Sequence, residues 1–66
     1  MQILGELFVT DNTKLVLSKG EFKGQERIDL RTEFNKDGEF IKTRKGINFN
    51  AEWVDDFIKL VEKLKD

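Results

Sequence analysis

The sequence predicts an α+β chain: an antiparallel sheet of four (or five) strands followed by one C-terminal helix, assembled as a homodimer. Three observations carry this. Residues 26–34 alternate strictly, with Ile28, Leu30, Thr32 and Phe34 on one side and Arg27, Asp29, Arg31 and Glu33 on the other. Period two with one polar side marks an antiparallel strand with a wet face. Polar turn signals, Asp11-Asn12-Thr13 and Asn35-Lys36-Asp37-Gly38, separate such runs. Finally, Val54, Phe57, Val61 and Leu64 repeat at helical spacing near the end of the chain.

The elements follow in order. Residues 2–10 read as a strand rich in Leu, β-branched and aromatic residues. Alternation sets Ile3, Leu7 and Val9 on one face and Leu4 and Phe8 on the other. This strand is either the first of the core sheet or an addition to it. Residues 14–19 form the second strand, and Gly20 and Gly24 bracket Phe22 in a turning or bulged segment. After the strand at 26–34, Gly38 closes a turn that favours positive φ. Residues 39–43 and 47–49 make two short strands, or one strand interrupted at Arg44-Lys45-Gly46. Asn50 is placed to cap a helix over roughly 51–65, with Glu52, Asp55 and Asp56 early and Lys59, Lys63 and Lys65 late, as the helix dipole favours.

Size and composition restrict the possibilities. A 66-residue domain buries only about 60% of its unfolded surface, so it needs a further source of stability. With no Cys and no His, disulfides, thiolate metal sites and the commonest general base are excluded, which leaves self-association. The helix supports this. With Trp53, Leu60 and Ile58 added, its apolar arc is about 160° wide, against the ~100° that packing on one sheet requires. Trp53, Val54, Phe57, Leu60, Val61 and Leu64 are therefore the candidate dimer interface.

Chemistry of the catalytic kind has little support. Ser18 is the only serine, and nothing near it could activate a nucleophile by the common routes. Asp55 and Asp56 are neighbours on a helix and point about 100° apart, unsuited to a shared metal or proton. No catalytic residue, metal site or cofactor is expected. No leader or membrane span is legible, and an intracellular location, cytoplasm or nucleoid, is expected.

Charge is unevenly placed. The net charge is -1, but residues 14–45 hold nine Lys/Arg against six Asp/Glu, between two acidic ends. Within that basic middle, Phe22 lies between Lys19 and Lys23, Arg27 and Arg31 share a strand face, and Lys42, Arg44 and Lys45 gather near one bend. Flat rings that stack bases, interleaved with cations that meet phosphates, are what a sequence-tolerant single-strand groove requires. Phe34 is a further ring, although alternation sets it with Ile28 and Leu30.

The order Phe22-Lys23-Gly24, Ile28-Asp29-Leu30-Arg31, an acidic Gly turn, Arg44-Lys45-Gly46-Ile47, Asn50 and a helix bearing Trp53 resembles the single-stranded-DNA-binding domain of transcriptional positive cofactor four, also called p15. The resemblance covers Phe22 to Trp53, about half the chain. It implies a four-stranded antiparallel sheet, one helix, a homodimer, and opposed channels for single strands or melted duplex, in a small version of the bacterial or phage kind spanning 1–66. It also implies stacking by Phe22 and Phe34, the latter where the family usually has Trp, and phosphate contacts by Lys23, Arg31, Arg44 and Lys45. Arg27 and Lys42 join them from the residue pattern alone. Gly20, Glu21, Gln25 and Glu26 replace more basic family positions, so a weaker or more salt-sensitive site is expected. Single-stranded DNA is thus the expected partner, with RNA and transcription or replication proteins as alternatives. The rival reading is a protein-interaction module using an edge strand or the helix face.

Overall fold

The computed structural model describes residues 2–65; Met1 and Asp66 lie outside them. Four antiparallel strands in simple meander order are followed by one helix. The strands are β1 (Gln2–Thr10), β2 (Thr13–Phe22), β3 (Gln25–Lys36) and β4 (Glu39–Asn50). The helix α1 (Val54–Glu62) is flanked by single 3-10 turns at Ala51–Trp53 and Lys63–Lys65. Residues 2–10 are therefore an edge strand of the main sheet, and there is no fifth strand among the described residues. Nor is any helix there long and apolar enough to cross a membrane.

Tight hairpins let the strands run longer than the alternation alone suggests. The turn from β2 to β3 uses only Lys23 (φ 54°) and Gly24 (φ 77°), and the turn from β3 to β4 only Asp37 (φ 55°) and Gly38 (φ 87°). Positive φ at both central residues gives the turn whose twist matches that of paired strands. Asn35 reinforces the second turn, its Oδ1 accepting from the Gly38 N–H at 2.9 Å. The segment bracketed by Gly20 and Gly24 does turn, at Lys23 and Gly24, and Phe22 is the last residue of β2, opposite Gln25.

β4 is one continuous strand, not two. Between the pairs Arg31–Gly46 and Glu33–Lys42, Thr32 alone stands opposite Thr43, Arg44 and Lys45. The surplus residues form a bulge, which two threonines close. The Thr32 and Thr43 hydroxyls lie 2.7 Å apart, and the Thr43 hydroxyl also donates to the Thr32 carbonyl at 2.9 Å. Side-chain oxygens thus replace ladder bonds that the bulge removes.

A second bulge corrects the predicted faces of β1. Ile3 pairs with Ser18 but Gly5 pairs with Leu17, so the register slips at Leu4. Ile3 therefore shares a face with Ser18 and Asp29, opposite to that of Leu7. One inserted residue inverts the side chains that follow it, here as far as a second irregularity between Phe8 and Thr10, at Val9.

The two faces of the sheet differ. One carries Leu7, Leu15, Leu17, Ile28, Leu30, Phe34, Ile47 and Phe49. The helix packs on this side through Phe57, whose ring centroid lies 4.9 Å from that of Phe49. Asn50 caps the helical segment as expected, accepting from the Glu52 N–H at 2.9 Å. The other face buries Val16, Ser18, Asp29 and Glu33 although the helix lies on the far side. These four side chains line a cavity of about 170 Å³, and rings from the two edge strands, Phe8 and Phe40, meet across this face with centroids 5.9 Å apart, so it is concave.

Coverage is thin. Among the described residues only Val16, Ile28 and Phe49 are buried apolar side chains. Leu7, Leu17, Ile47, Trp53, Leu60, Val61 and Leu64 are exposed, Leu64 by 85%.

Gly46 owes its identity to the close approach of β4 to β3. A Cβ there would collide with the Leu30 carbonyl oxygen and sit 2.8 Å from the Arg31 Cα. Both are backbone atoms, which cannot rotate aside. Gly46→Ala is expected to destabilise the protein by about 1–3 kcal/mol, the usual cost of overpacking. Denaturant unfolding at fixed protein concentration measures it, and an unchanged midpoint would contradict the steric reading.

Candidate nucleic-acid interface

β3 is the middle of the site. Its residues Arg27, Asp29, Arg31 and Glu33 all point to the concave face, next to Gly20, Ser18, Val16 and Lys14 of β2 and Asn50, Asn48, Gly46 and Lys42 of β4. Phe22 ends the β2 row on the same side. Phe22 is 64% exposed, and it borders a cleft of 590 Å³ with Gly20, Glu21, Lys23, Gln25, Arg27 and Asn48. The Lys23 ammonium stands 5.4 Å from the ring centroid. The structure thus brings together Phe22, Lys23 and Arg27 at one end of the face, with Arg31 and Lys42 further along it.

The cations are held with different firmness. Arg27 Nε donates to Asn48 Oδ1 at 2.9 Å, which orients the guanidinium and leaves its terminal nitrogens open. Arg31 is more committed. Its Nε and Nη2 bond both oxygens of Asp29 at 3.1 and 2.8 Å, and Nη1 donates to the Thr43 carbonyl at 3.0 Å. Three of five donors are used, leaving one N–H on each terminal nitrogen for a ligand. Arg31 thereby ties the bulge of β4 to the middle of β3. Its charge, however, is largely matched by a carboxylate.

The remaining predicted residues lie apart. Arg44 and Lys45 are exposed on the bulge at the β4 edge of the sheet. Phe34 pairs with Thr13 and Ile41 on the Leu30 side and is 41% exposed. It is therefore on the face opposite Phe22. Of the candidate interface residues, Phe57 is half-buried against Phe49. Trp53 and Leu60 join it along an apolar groove of 430 Å³ with Ile47.

Sequence reading missed Asn48, which contacts both Arg27 and Asp29. No local pattern singles out an Asn in a strand; only the Asp29–Asn48 register does. It also missed a cluster at the other end of the concave face, where Phe8 and Phe40 meet edge to face at 5.9 Å. Lys14 lies 4.4 Å from the Phe40 centroid and 3.1 Å from Glu6 Oε1. The face as a whole sets Lys14, Arg27, Arg31 and Lys42 against Glu6, Asp29 and Glu33, and is only mildly cationic.

A comparison with protein families matches residues 9–60 to the Transcriptional Coactivator p15 (PC4) model. Among solved structures, the chain is similar to a PC4 homolog from Burkholderia pseudomallei at 20% identity and a TM-score of 0.89, covering 98% of this chain and 97% of that one. It is similar to a bacteriophage T5 homolog of the eukaryotic coactivator PC4, implicated in recombination-dependent DNA replication. That match has 19% identity and a TM-score of 0.59, over 98% and 96% of the two chains. MoSub1 in complex with single-stranded DNA aligns at 22% identity and a TM-score of 0.56, over 91% of this chain and 70% of MoSub1. No curated protein sequence matches. At these identities the structural likeness establishes the shared fold.

The Asp29–Arg31 pair has a pH signature. The hydrogen bond from Arg31 lowers the Asp29 carboxyl below its ordinary 3.8; burial opposes this, and Asn48, with the charges of Arg31 and Lys42, assists. Because the folded value is the lower one, the contribution to stability is complete above 3.8 and disappears as pH falls through the depressed value. Carboxyl NMR should show Asp29 titrating below 3.8, and Asp29→Asn should flatten that part of the acid limb of the stability curve. Titration at or above 3.8 would contradict a stabilising pair.

Proposed function

The chain belongs to the Transcriptional Coactivator p15 (PC4) family, and we propose that residues 1–66 form a sequence-tolerant single-stranded-DNA-binding domain that works as a homodimer. One observation carries the reading: a largely exposed Phe22 ring stands on the same concave face as Arg27, Arg31 and Lys42. A large aromatic in water beside open guanidinium donors suits a stacked base with its phosphate alongside. The complex of MoSub1 with single-stranded DNA, on the same fold, supports the assignment.

Each residue has a role in this reading. Phe22 stacks a base, worth about 1–3 kcal/mol. Lys23 and Arg27 meet the adjacent phosphates, and Arg31 uses its two remaining N–H groups. Lys42, Arg44 and Lys45 guide the strand across the β4 edge. Phe34, on the other face, reaches DNA only where a second protomer completes a groove around it. The domain acts in the cytoplasm or nucleoid, wherever single strands are exposed in transcription, replication, recombination or repair.

The thin apolar coverage supports the homodimer. A helical segment whose Trp53, Leu60, Val61 and Leu64 remain in water gains, before the entropy lost on association is subtracted, about 25 cal/mol for each Å² that a second copy covers. A twofold partner placing the same groove against itself is the simplest closed arrangement.

Two experiments test these claims. Titration of a fluorescent oligodeoxynucleotide at several salt concentrations should show that Phe22→Ala weakens binding by about 1–3 kcal/mol with little change in salt dependence. Removing Arg44 and Lys45 together should flatten the slope of log K against log salt by roughly 0.7 for each phosphate no longer neutralised. Parental affinity in Phe22→Ala would end the stacking role, and no saturable binding by the parent would end the reading. Sedimentation should give a dimer at tens of micromolar, with Leu60→Asp lowering both stability and association; a well-folded monomer would refute the homodimer.

A further inference from the structure

The concave face ends in aromatic rings at both lips, and Phe22 accounts for only one of them. We propose that Phe8 and Phe40 form a second base-stacking platform. It receives the far end of the same single strand that Phe22 holds, and so sets the length of strand one protomer engages. The inference rests on the single-strand reading above and adds the second subsite and the footprint.

Register places the cluster on this face. Phe8 is opposite Lys14, Lys14 opposite Glu33, and Phe40 opposite Asn35, all in the rows that carry Arg31 and Lys42. A platform for bases needs rings that are exposed, fixed and near positive charge. Phe8 is 59% exposed and Phe40 half-buried beside it, on the polar side of the sheet, away from the layer of Leu15, Leu17 and Leu30. The two rings fix each other, meeting at 84° with centroids 5.9 Å apart. Lys14 braces them from within. Its side chain is only 13% accessible, its ammonium is 4.4 Å from the Phe40 centroid and 5.9 Å from that of Phe8, and Glu6 anchors it at 3.1 Å. A ring held by a T-shaped neighbour and a cation loses little freedom when a base arrives.

The cations between the lips give the strand a path. Arg27, Arg31 and Lys42 line the same face between Phe22 and the Phe8–Phe40 pair. From Phe22 to Lys14 along β2 is eight residues, hence about 26 Å at strand rise. At the stacked spacing of ~3.4 Å for each nucleotide this is roughly eight nucleotides, fewer if the strand is stretched. A strand of four therefore reaches one platform at a time, and a strand of ten reaches both.

The test uses oligothymidylates of four to twelve nucleotides with the full chain. The parent should gain affinity as length passes about eight. In the double variant Phe8→Leu with Phe40→Leu, which keeps apolar bulk but removes both rings, that gain should fall by about 5- to 100-fold. The tetranucleotide should still bind within about twofold of the parent. Ring-proton NMR of the unaltered protein reads the same contact without any variant: Phe8 and Phe40 resonances should shift together with Phe22 when the decanucleotide is added. Unmoved Phe8 and Phe40 resonances, a length gain that survives the double variant, or no length gain in the parent would each overturn the second platform. In those cases Phe22→Ala still weakens binding and the single-strand reading stands. A parent that binds no length would instead remove that reading and this inference together.

Discussion

Central strand β3 governs the molecule, because it must serve two neighbouring strands and two faces at once. It pairs along its length with β2 and, across a bulge, with β4. Its apolar residues Ile28 and Leu30 point to the helix side, while Arg27, Asp29 and Arg31 point into the concave side. A shift of one residue would send the guanidiniums into the apolar layer and the aliphatics into the cleft. The cost of burying unpaired charge makes that register untenable. Every candidate position of β3 on the concave face inherits its side from this alternation.

Electrostatics on the concave face is built from matched rather than massed charge. Asp29 and Arg31 neutralise one another, and Asn48 links that pair to Arg27. The result is a lattice of directed donors with modest net charge, not a polycationic strip. Such a surface holds its arginines in fixed geometry before a ligand arrives, which lowers the entropy lost on binding. It also explains how an overall charge of -1 is compatible with an anionic partner: local orientation, not the sum, determines what a phosphate meets.

The bulge of β4 joins fold to function. It displaces Arg44 and Lys45 outward, and the threonine pair with the Arg31–Thr43 bond keeps the backbone groups satisfied while it does so. Gly46 then lets β4 close again on β3. The run Arg44-Lys45-Gly46 thus has a mechanical meaning: two cations carried on the surplus residues, and a glycine where the strands come back together.

Much of this was legible in the sequence. The alternation of 26–34, the Asp37-Gly38 turn, the Asn50 cap and the apolar helix positions are local signals, since period and turn chemistry act over a few residues. They determined the strand-and-helix order and set Phe22, Arg27 and Arg31 as candidates. Tertiary structure decided the rest. Two bulges reversed the side of Ile3 and kept β4 whole, and pairing across the sheet joined Asn48 to Arg27. Curvature buried Asp29 and Glu33, and hairpin register set Phe8 against Phe40, thirty-two positions away. The physical reason is common to all of these: which side chains meet across a sheet depends on strand register summed over several hairpins, and one inserted residue, invisible to local pattern, changes it.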